Sequence, residues 1–222
     1  MRVLVSCLVL IGLFVACVAQ DLQDTYGKTH AQILAMGYDK WYTFYTEKAG
    51  ETTQGMAGAN YRYASAIEWR NKGLLAKLPA VQRKSLERLA KAMDDFGTSV
   101  IHVERVLNGG GTLFQITFSS NAIDLQKSLY GLLGGKVPPA PARVVSDVKK
   151  ELTALEASFL KAPEDTWKYE YKRDDTAKYV KKAKDSFNLI LAEAKTLTRK
   201  QSDLVLEYCR SAIVDSRMEG RE

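Results

Sequence analysis

The segment from Pro79 to Asn108 constrains the fold of this chain more than any other part of the sequence. Its apolar residues are spaced alternately three and four apart, which is the spacing of one face of an α-helix. They are Leu86, Leu89, Met93, Phe96, Val100, Val103 and Leu107. Pro79 suits the first turn of a helix and Gly109 suits its end. Because such a helix is roughly 40 Å long, the segment predicts a helical bundle.

Three further segments carry the same helical spacing. The first ends before Pro163, which cannot continue a helix, and contains Val145, Val148, Leu152, Leu155 and Phe159. The second extends from about Asp175 to Arg199, with Asp174 or Asp175 as its N-cap. A last, shorter helix follows Ser202.

The segment from Gly109 to Ala142 is the least regular part of the chain. Its "GTLFQITF" is a short β-like run, and "SSNAIDLQKSLYGLLGG" predicts a short helix capped by Ser120 or Asn121. The following "KVPPAPARV" predicts a stiff, polyproline-like connector along the outside of the bundle. The predicted fold is therefore all-α, a four-helix bundle with a long crossover and a short fifth C-terminal helix.

The N-terminal third of the chain, after its first 19 residues, is rich in aromatic residues at helical spacing. Glycines between Gly50 and Gly58 leave open whether it forms one broken helix or two. Aromatic residues in this pattern form protein core more often than they line a ligand site.

The first 19 residues have the pattern of a secretory signal peptide. Arg2 precedes an apolar run from Val3 to Val18, and small residues follow around Ala19. The run is shorter than the roughly 20 apolar residues that span a bilayer. A bacterial lipobox ending at Cys17 is the alternative. We expect a signal peptide over 1–19, one helical-bundle domain over 20–222, no stable membrane span, and a secreted or lumenal location in the secretory pathway.

Removal of this leader leaves Cys209 as the one cysteine of the mature chain, which excludes an intrachain disulfide. A buried, inert thiol is favoured over an intermolecular bond, because Cys209 lies on the apolar face of the last helix. The 32 Lys and Arg residues exceed the 26 Asp and Glu residues by six, and Arg2 leaves with the leader. The remaining positive charge is spread over every helix and has no basic stripe, so nucleic acid is not an expected partner.

His102 and Glu104 are the candidate metal ligands, and they lie near the end of the longest predicted helix. Carboxylate di-iron bundles use Glu-x-x-His pairs, but Ser99 stands three residues before His102. Glu104 does not replace the missing glutamate, since residues two apart point to different sides of a helix. The glycines after Asn108 follow a helix rather than precede one, so they do not predict a phosphate loop. No catalytic residues are predicted.

The stretch "FGTSVIHVERVLNGGGTLF" and the amphipathic helix before it resemble the end of the second helix of ferritin subunits. The segment "DTAKYVKKAKDSFNLILAEAKTLTRK" is similar to the fourth ferritin helix, and Ser202–Ser216 to the short fifth one. The chain looks most like the secreted light-chain-type subunits of invertebrates, which have lost the oxidase site. This resemblance implies a non-catalytic subunit that stores or transports iron, with iron as a mineral, in a homo- or hetero-oligomer with related subunits. The basic charge and the proline-rich "VPPAPARVV" depart from that family.

An extracellular helical binding protein for a lipid or other apolar ligand is the alternative. Its ligand would lie among aromatic residues of the N-terminal third, namely Trp41, Tyr42, Tyr45, Tyr61 and Trp69. A structural or matrix component with neither ligand nor iron is a third possibility.

The ferritin resemblance predicts that the mature protein is an oligomer that carries iron. Size-exclusion chromatography with in-line light scattering and elemental analysis of the same peak check this. A native monomer without co-purifying iron would contradict it.

Overall fold

The computed structural model describes residues 26–109, 111, 113–167 and 172–218 of the 222-residue chain. These ranges contain eight α-helices and no strand, which confirms the predicted all-α class. The helices are α1 His30–Met36, α2 Tyr38–Ala49, α3 Thr53–Leu75, α4 Ala80–Leu107, α5 Phe114–Leu132, α6 Val145–Lys161, α7 Arg173–Glu193 and α8 Arg199–Met218. None of them is both long enough and apolar enough to cross a bilayer. The predicted signal peptide lies outside the described residues.

Helix α4 is the long helix that the sequence predicts, with Pro79 as its N-cap and Asn108 as its C-cap. Gly109 directly after it has a φ of 79°, a conformation that favours glycine at a helix end. Its apolar stripe forms the centre of the main hydrophobic core, to which α5, α6, α7 and α8 also contribute. In that stripe Leu86 and Leu107 are partly buried, and the fully buried members are Leu89, Met93, Phe96, Val100 and Val103.

The six long helices from α3 to α8 alternate in direction. Helices α4 and α7 are antiparallel, because Arg88 pairs with Glu193 at one end and Asp95 pairs with Lys182 further along. Helices α5 and α8 are also antiparallel, and the Gln201 side chain donates to the backbone oxygen of Leu132 at their shared end. The described part of the chain is therefore a helical bundle in which neighbours along the chain run in opposite directions.

The N-terminal third forms three helices, whereas the sequence left one broken helix or two open. Gly37 and Gly50, with φ of 74° and 86°, separate α1 from α2 and α2 from α3. Trp41 is fully buried, and its Nε1 donates to the backbone oxygen of Ala59 at 2.9 Å. A small second core therefore forms around Trp41 and joins α2 to α3.

The β-like run predicted after Gly111 is wrong. The helix predicted from "SSNAIDLQKSLYGLLGG" is confirmed, but its predicted start and its predicted cap are wrong. One helix, α5, covers this stretch from Phe114, so Ser120 and Asn121 lie inside it. Its backbone is helical because two faces are packed: Asn60 of α3 donates to Ser119 and Ser120, and α8 covers the other side. Tertiary packing here overrides the strand preference of a short apolar run. The predicted crossover region thus contains a 19-residue helix, which residues 135–144 follow without regular structure.

The last helix predicted after Ser202 is confirmed, but its predicted short length is wrong, because α8 has 20 residues. It begins with a reciprocal cap, in which the Thr198 backbone donates to the Gln201 side chain and the Gln201 backbone donates to Thr198 Oγ1. Helix α7 ends at Glu193, before the predicted Arg199, and its N-cap is Lys172. The two aspartates expected at the cap lie in the first turn of α7, where their negative charges interact favourably with the positive end of the helix dipole.

Helices α4, α5 and α8 meet at Gly97. A Cβ atom at Gly97 would lie 2.3 Å from the Tyr208 hydroxyl and 2.7 Å from the Asn121 side-chain amide. Tyr208 is buried, and its hydroxyl donates to the backbone oxygen of Met93 at 3.1 Å. The missing side chain is therefore what lets Tyr208 reach the α4 backbone.

We predict that Gly97→Ala lowers the free energy of unfolding by about 1–3 kcal/mol, the usual cost of overpacking a core. Gly73→Ala is the matched control, because Gly73 is an exposed helical glycine with nothing within 4 Å of an added Cβ. In this control we expect the free energy of unfolding to rise by about 0.5–1 kcal/mol, because alanine has a higher helix propensity than glycine. Urea unfolding followed by circular dichroism measures both, and equal effects at the two glycines would contradict the close approach.

Candidate functional site

The two candidate metal ligands have different partners. The His102 ring is stacked on Tyr179 at a centroid distance of 4.4 Å and meets Phe118 edge-on at 5.0 Å. Burial, followed by the nearby charges of Arg105 and Lys182, lowers the pKa of His102 and favours the neutral ring.

Glu104 is buried at the end of α4 and accepts from Arg217 Nε at 2.8 Å. Arg217 also pairs with Glu151, so Glu104 belongs to a three-residue ion-pair network that joins α4, α6 and α8. Within the described ranges no group of three or more His, Cys, Asp or Glu side chains could hold a metal ion. Metal binding by His102 and Glu104 stays a prediction.

The aromatic residues proposed to line a ligand site are distributed over several contacts. Trp41 is core, and Tyr45 packs on it at 5.4 Å while its hydroxyl lies against Gly58. Tyr42 lies beside Tyr38, and Trp69 lies beside His30. Tyr61 is 47% exposed and lines a different groove, between α3, α4 and α5. The structure does not bring the five residues around one cavity.

Cys209 is fully buried in the main core, as expected from its position on the apolar face. Burial raises the pKa of its thiol, which favours the unreactive protonated form. It forms no disulfide with any described residue.

A concave site lies between α5 and α8, and we call it the α5–α8 trough. Its inner part is a cavity of about 30 Å³. Its outer part is an open groove of about 260 Å³ beneath the connector. Asp124, Tyr208 and Ser211 line both parts, so the two adjoin each other.

Polar groups and apolar surface occur together in both parts of the trough. The inner cavity presents mostly apolar surface, in which a few polar groups are set, and its lining residues are Ile101, Thr117, Ser120, Asn121, Asp124, Tyr208, Ser211, Ala212, Asp215 and Ser216. The outer groove has an apolar wall, formed by Val137, Pro138, Pro139, Ala140, Pro141 and Leu204, and its other lining residues include Asp124, Lys127 and Glu207. The trough is therefore largely apolar, with carboxylates in both parts.

The connector over residues 135–144 is held across the trough at its C-terminal end. Arg143 Nε donates to Glu207 at 2.5 Å, and the Arg143 backbone N–H donates to Asp203 at 3.2 Å. Its prolines fix their own φ angles and keep the preceding residues extended. The apolar wall is thus stiff before any ligand arrives.

Asp124 is the unusual residue of the trough. It lies on α5 where the inner cavity meets the outer groove, and it forms no hydrogen bond or ion pair with the described residues. Burial, with a smaller contribution from the charge of Asp215, raises the pKa of Asp124, while Lys127 opposes the shift. Asp124 is partly buried. A partly buried carboxylate without a partner ionises less readily than an exposed one, and such groups mark functional sites more often than ordinary surface carboxylates do.

The other described charges at the trough form no ion pair with Asp124, although Lys127 is close enough to lower its pKa. The Lys127 ammonium lies over the Tyr38 ring, 5.8 Å from its centre. Glu207 is already paired with Arg143. Burial also raises the pKa of Asp215, against the opposing charge of Arg210.

Sequence patterns did not indicate this site. Asp124 stands in a segment where a short helix was expected, and the residues that face it come from α8, more than 80 positions later. One sequence feature could have indicated the site: Asp124 stands three residues after Asn121 and four after Ser120, which places three polar residues on one face of a helix.

Comparison with protein-family models, curated proteins and solved structures finds no match to this chain.

We predict that Asp124→Asn stabilises the protein at about pH 7 and not at about pH 3. The folded state raises the pKa of Asp124, so its contribution to stability is complete below the ordinary pKa and is lost as the pH rises through the folded value. The asparagine side chain does not ionise, so the variant does not lose this stability as the pH rises. Thermal unfolding at both pH values measures it, since 1 kcal/mol shifts the Tm of a chain this size by about 2–4 °C.

Asp185→Asn on the exposed surface of α7 is the control. An Asp124→Asn variant that gains no stability at the higher pH relative to this control would contradict the unpartnered, partly buried state of Asp124.

Proposed function

We propose that this protein is a non-enzymatic helical binding protein that holds a small amphipathic ligand in the α5–α8 trough. The observation that carries the proposal is this site, in which a carboxylate without a partner lies between a small enclosed cavity and an adjoining groove with an apolar wall. Small-molecule sites combine apolar walls with a few convergent polar groups in this way. The proposal keeps the class of function that the aromatic residues suggested and moves the ligand to another part of the bundle.

The proportions of the trough support a small ligand. Water needs about 10–15 Å³ of such space, so the inner cavity of about 30 Å³ has room for one compact polar group. The outer groove is nearly ten times larger and opens to solvent. A ligand with a compact polar end and a short apolar body fits both parts.

Iron storage in a ferritin-like shell stays a prediction of the resemblance. It requires an oligomer and a mineral, and the contacts of His102 and Glu104 add no support to it. A secreted or lumenal location is compatible with either function.

A neutral apolar dye tests whether the groove binds ligands. We expect N-phenyl-1-naphthylamine to increase its fluorescence on binding, and Ser211→Phe to weaken that binding by about tenfold or more, because Ser211 lines both parts of the trough. Dye titrations at fixed protein concentration give the dissociation constants.

Ser146→Phe is the matched control, since Ser146 is exposed in the first turn of α6. Circular dichroism establishes that both variants fold. Equal dye binding by folded Ser211→Phe and by Ser146→Phe would overturn the trough as the binding site.

A further inference from the structure

We infer that the polar end of the ligand is a protonated primary amine, which occupies the inner cavity of the α5–α8 trough. This inference rests on the proposed function and names the chemical class of its ligand. Three independent features of the cavity lead to it: the charge of its lining, the direction of its hydroxyl groups, and its size.

The charge of the lining is negative. Asp124 and Asp215 both line the inner cavity, and none of the described residues lining it is Lys or Arg. Lys127 and Arg210 act on these two carboxylates from outside the inner cavity, and Arg143 pairs with Glu207. An anionic ligand would add a third negative charge to a partly buried site, which like-charge repulsion opposes.

Two of the hydroxyl groups that line the cavity use their hydrogens within the protein. Ser216 is fully buried and donates its hydrogen to the backbone oxygens of Ala212 and Ile213, at 2.8 and 2.9 Å. The buried hydroxyl of Tyr208 donates to the backbone oxygen of Met93 and is also hydrogen-bonded to the Asn121 side chain. Each hydroxyl has one hydrogen, so neither of these two groups has a hydrogen left for a ligand. Toward these two oxygens and the two carboxylates, a ligand can only donate hydrogen bonds.

A primary ammonium group meets all of these conditions. It carries one positive charge and three donors, and it has no acceptor. It is close to a water molecule in size, which the inner cavity of about 30 Å³ admits. Its carbon chain would leave the cavity past Asp124 and lie against Val137 and Leu204 in the outer groove. Charge-assisted hydrogen bonds to Asp124 would supply the partner that this carboxylate lacks within the protein.

Three ligands with the same body and different ends test the inference. Hexylamine, 1-hexanol and hexanoate are titrated into the ¹⁵N-labelled mature protein, and backbone amide shifts of α5 and α8 are followed at about pH 7, where the amine is protonated. We expect hexylamine to bind about tenfold or more tightly than the other two, because only it pairs with the cavity carboxylates. Ammonium chloride at the same concentrations tests whether the charged end alone suffices.

Asp124→Asn is the informative variant and Asp185→Asn its matched control. The asparagine keeps the shape of the site and removes the charge, so it is expected to abolish the preference for hexylamine while the control retains it. An unchanged preference in folded Asp124→Asn would overturn the inference.

The outcomes separate the two proposals. Equal binding of all three compounds at α5 and α8 would overturn the amine and leave the trough as an apolar site. Ammonium chloride that displaces hexylamine at equal concentration would also overturn the organic ligand in favour of a simple cation. No shift with any compound, together with no trough-dependent dye binding, would overturn both proposals.

Discussion

The apolar stripe of α4 is the constraint on which the rest of the bundle depends. Its side chains bury themselves only if other helices surround them, and α5, α6, α7 and α8 all contribute to the core that does so. Burial of apolar surface is the main favourable contribution to folding, at about 25 cal/mol per Å². Gly97 interrupts this stripe on the side of α5 and α8, where the hydroxyl of Tyr208 comes within hydrogen-bonding distance of the α4 backbone. The spacing of the helices there follows from one missing side chain.

That close approach also shapes the candidate site. Tyr208 belongs both to the core and to the trough, so the floor of the trough is held by the same contact that joins α4 to α8. The connector is fixed on the other side by Arg143, and its prolines keep it extended. Asp124 is left without a partner between these rigid parts, at a cost in stability that a purely structural residue would not require. A pre-formed trough of this kind limits the ordering that a ligand has to impose on binding.

The sequence and the structure agree best where one apolar face decides the conformation. Helices α4 and α6 were predictable from their stripes because each buries a single face against one core, and Pro79, Gly109 and Pro163 mark their ends. The full length of helix α5 was not predictable, because it is covered on two sides and its sequence mixes β-branched, small and polar residues. The candidate site was not predictable either: Ile101, Asp124 and Asp215 come from three helices, and no local pattern relates them.

The sequence by itself determined the all-α class, the longest helix and the burial of Cys209, since each depends on a local 3.6-residue periodicity. Only the tertiary structure decided which helices are neighbours, how Glu104 is paired with Arg217, and where a concave site forms. The physical reason is that helix formation is governed by residues three and four apart, whereas cavities and buried ion pairs depend on residues that folding brings together from distant parts of the chain. Asp124 shows this most clearly, because the fold places its carboxylate beside two cavities without an ion-pair partner.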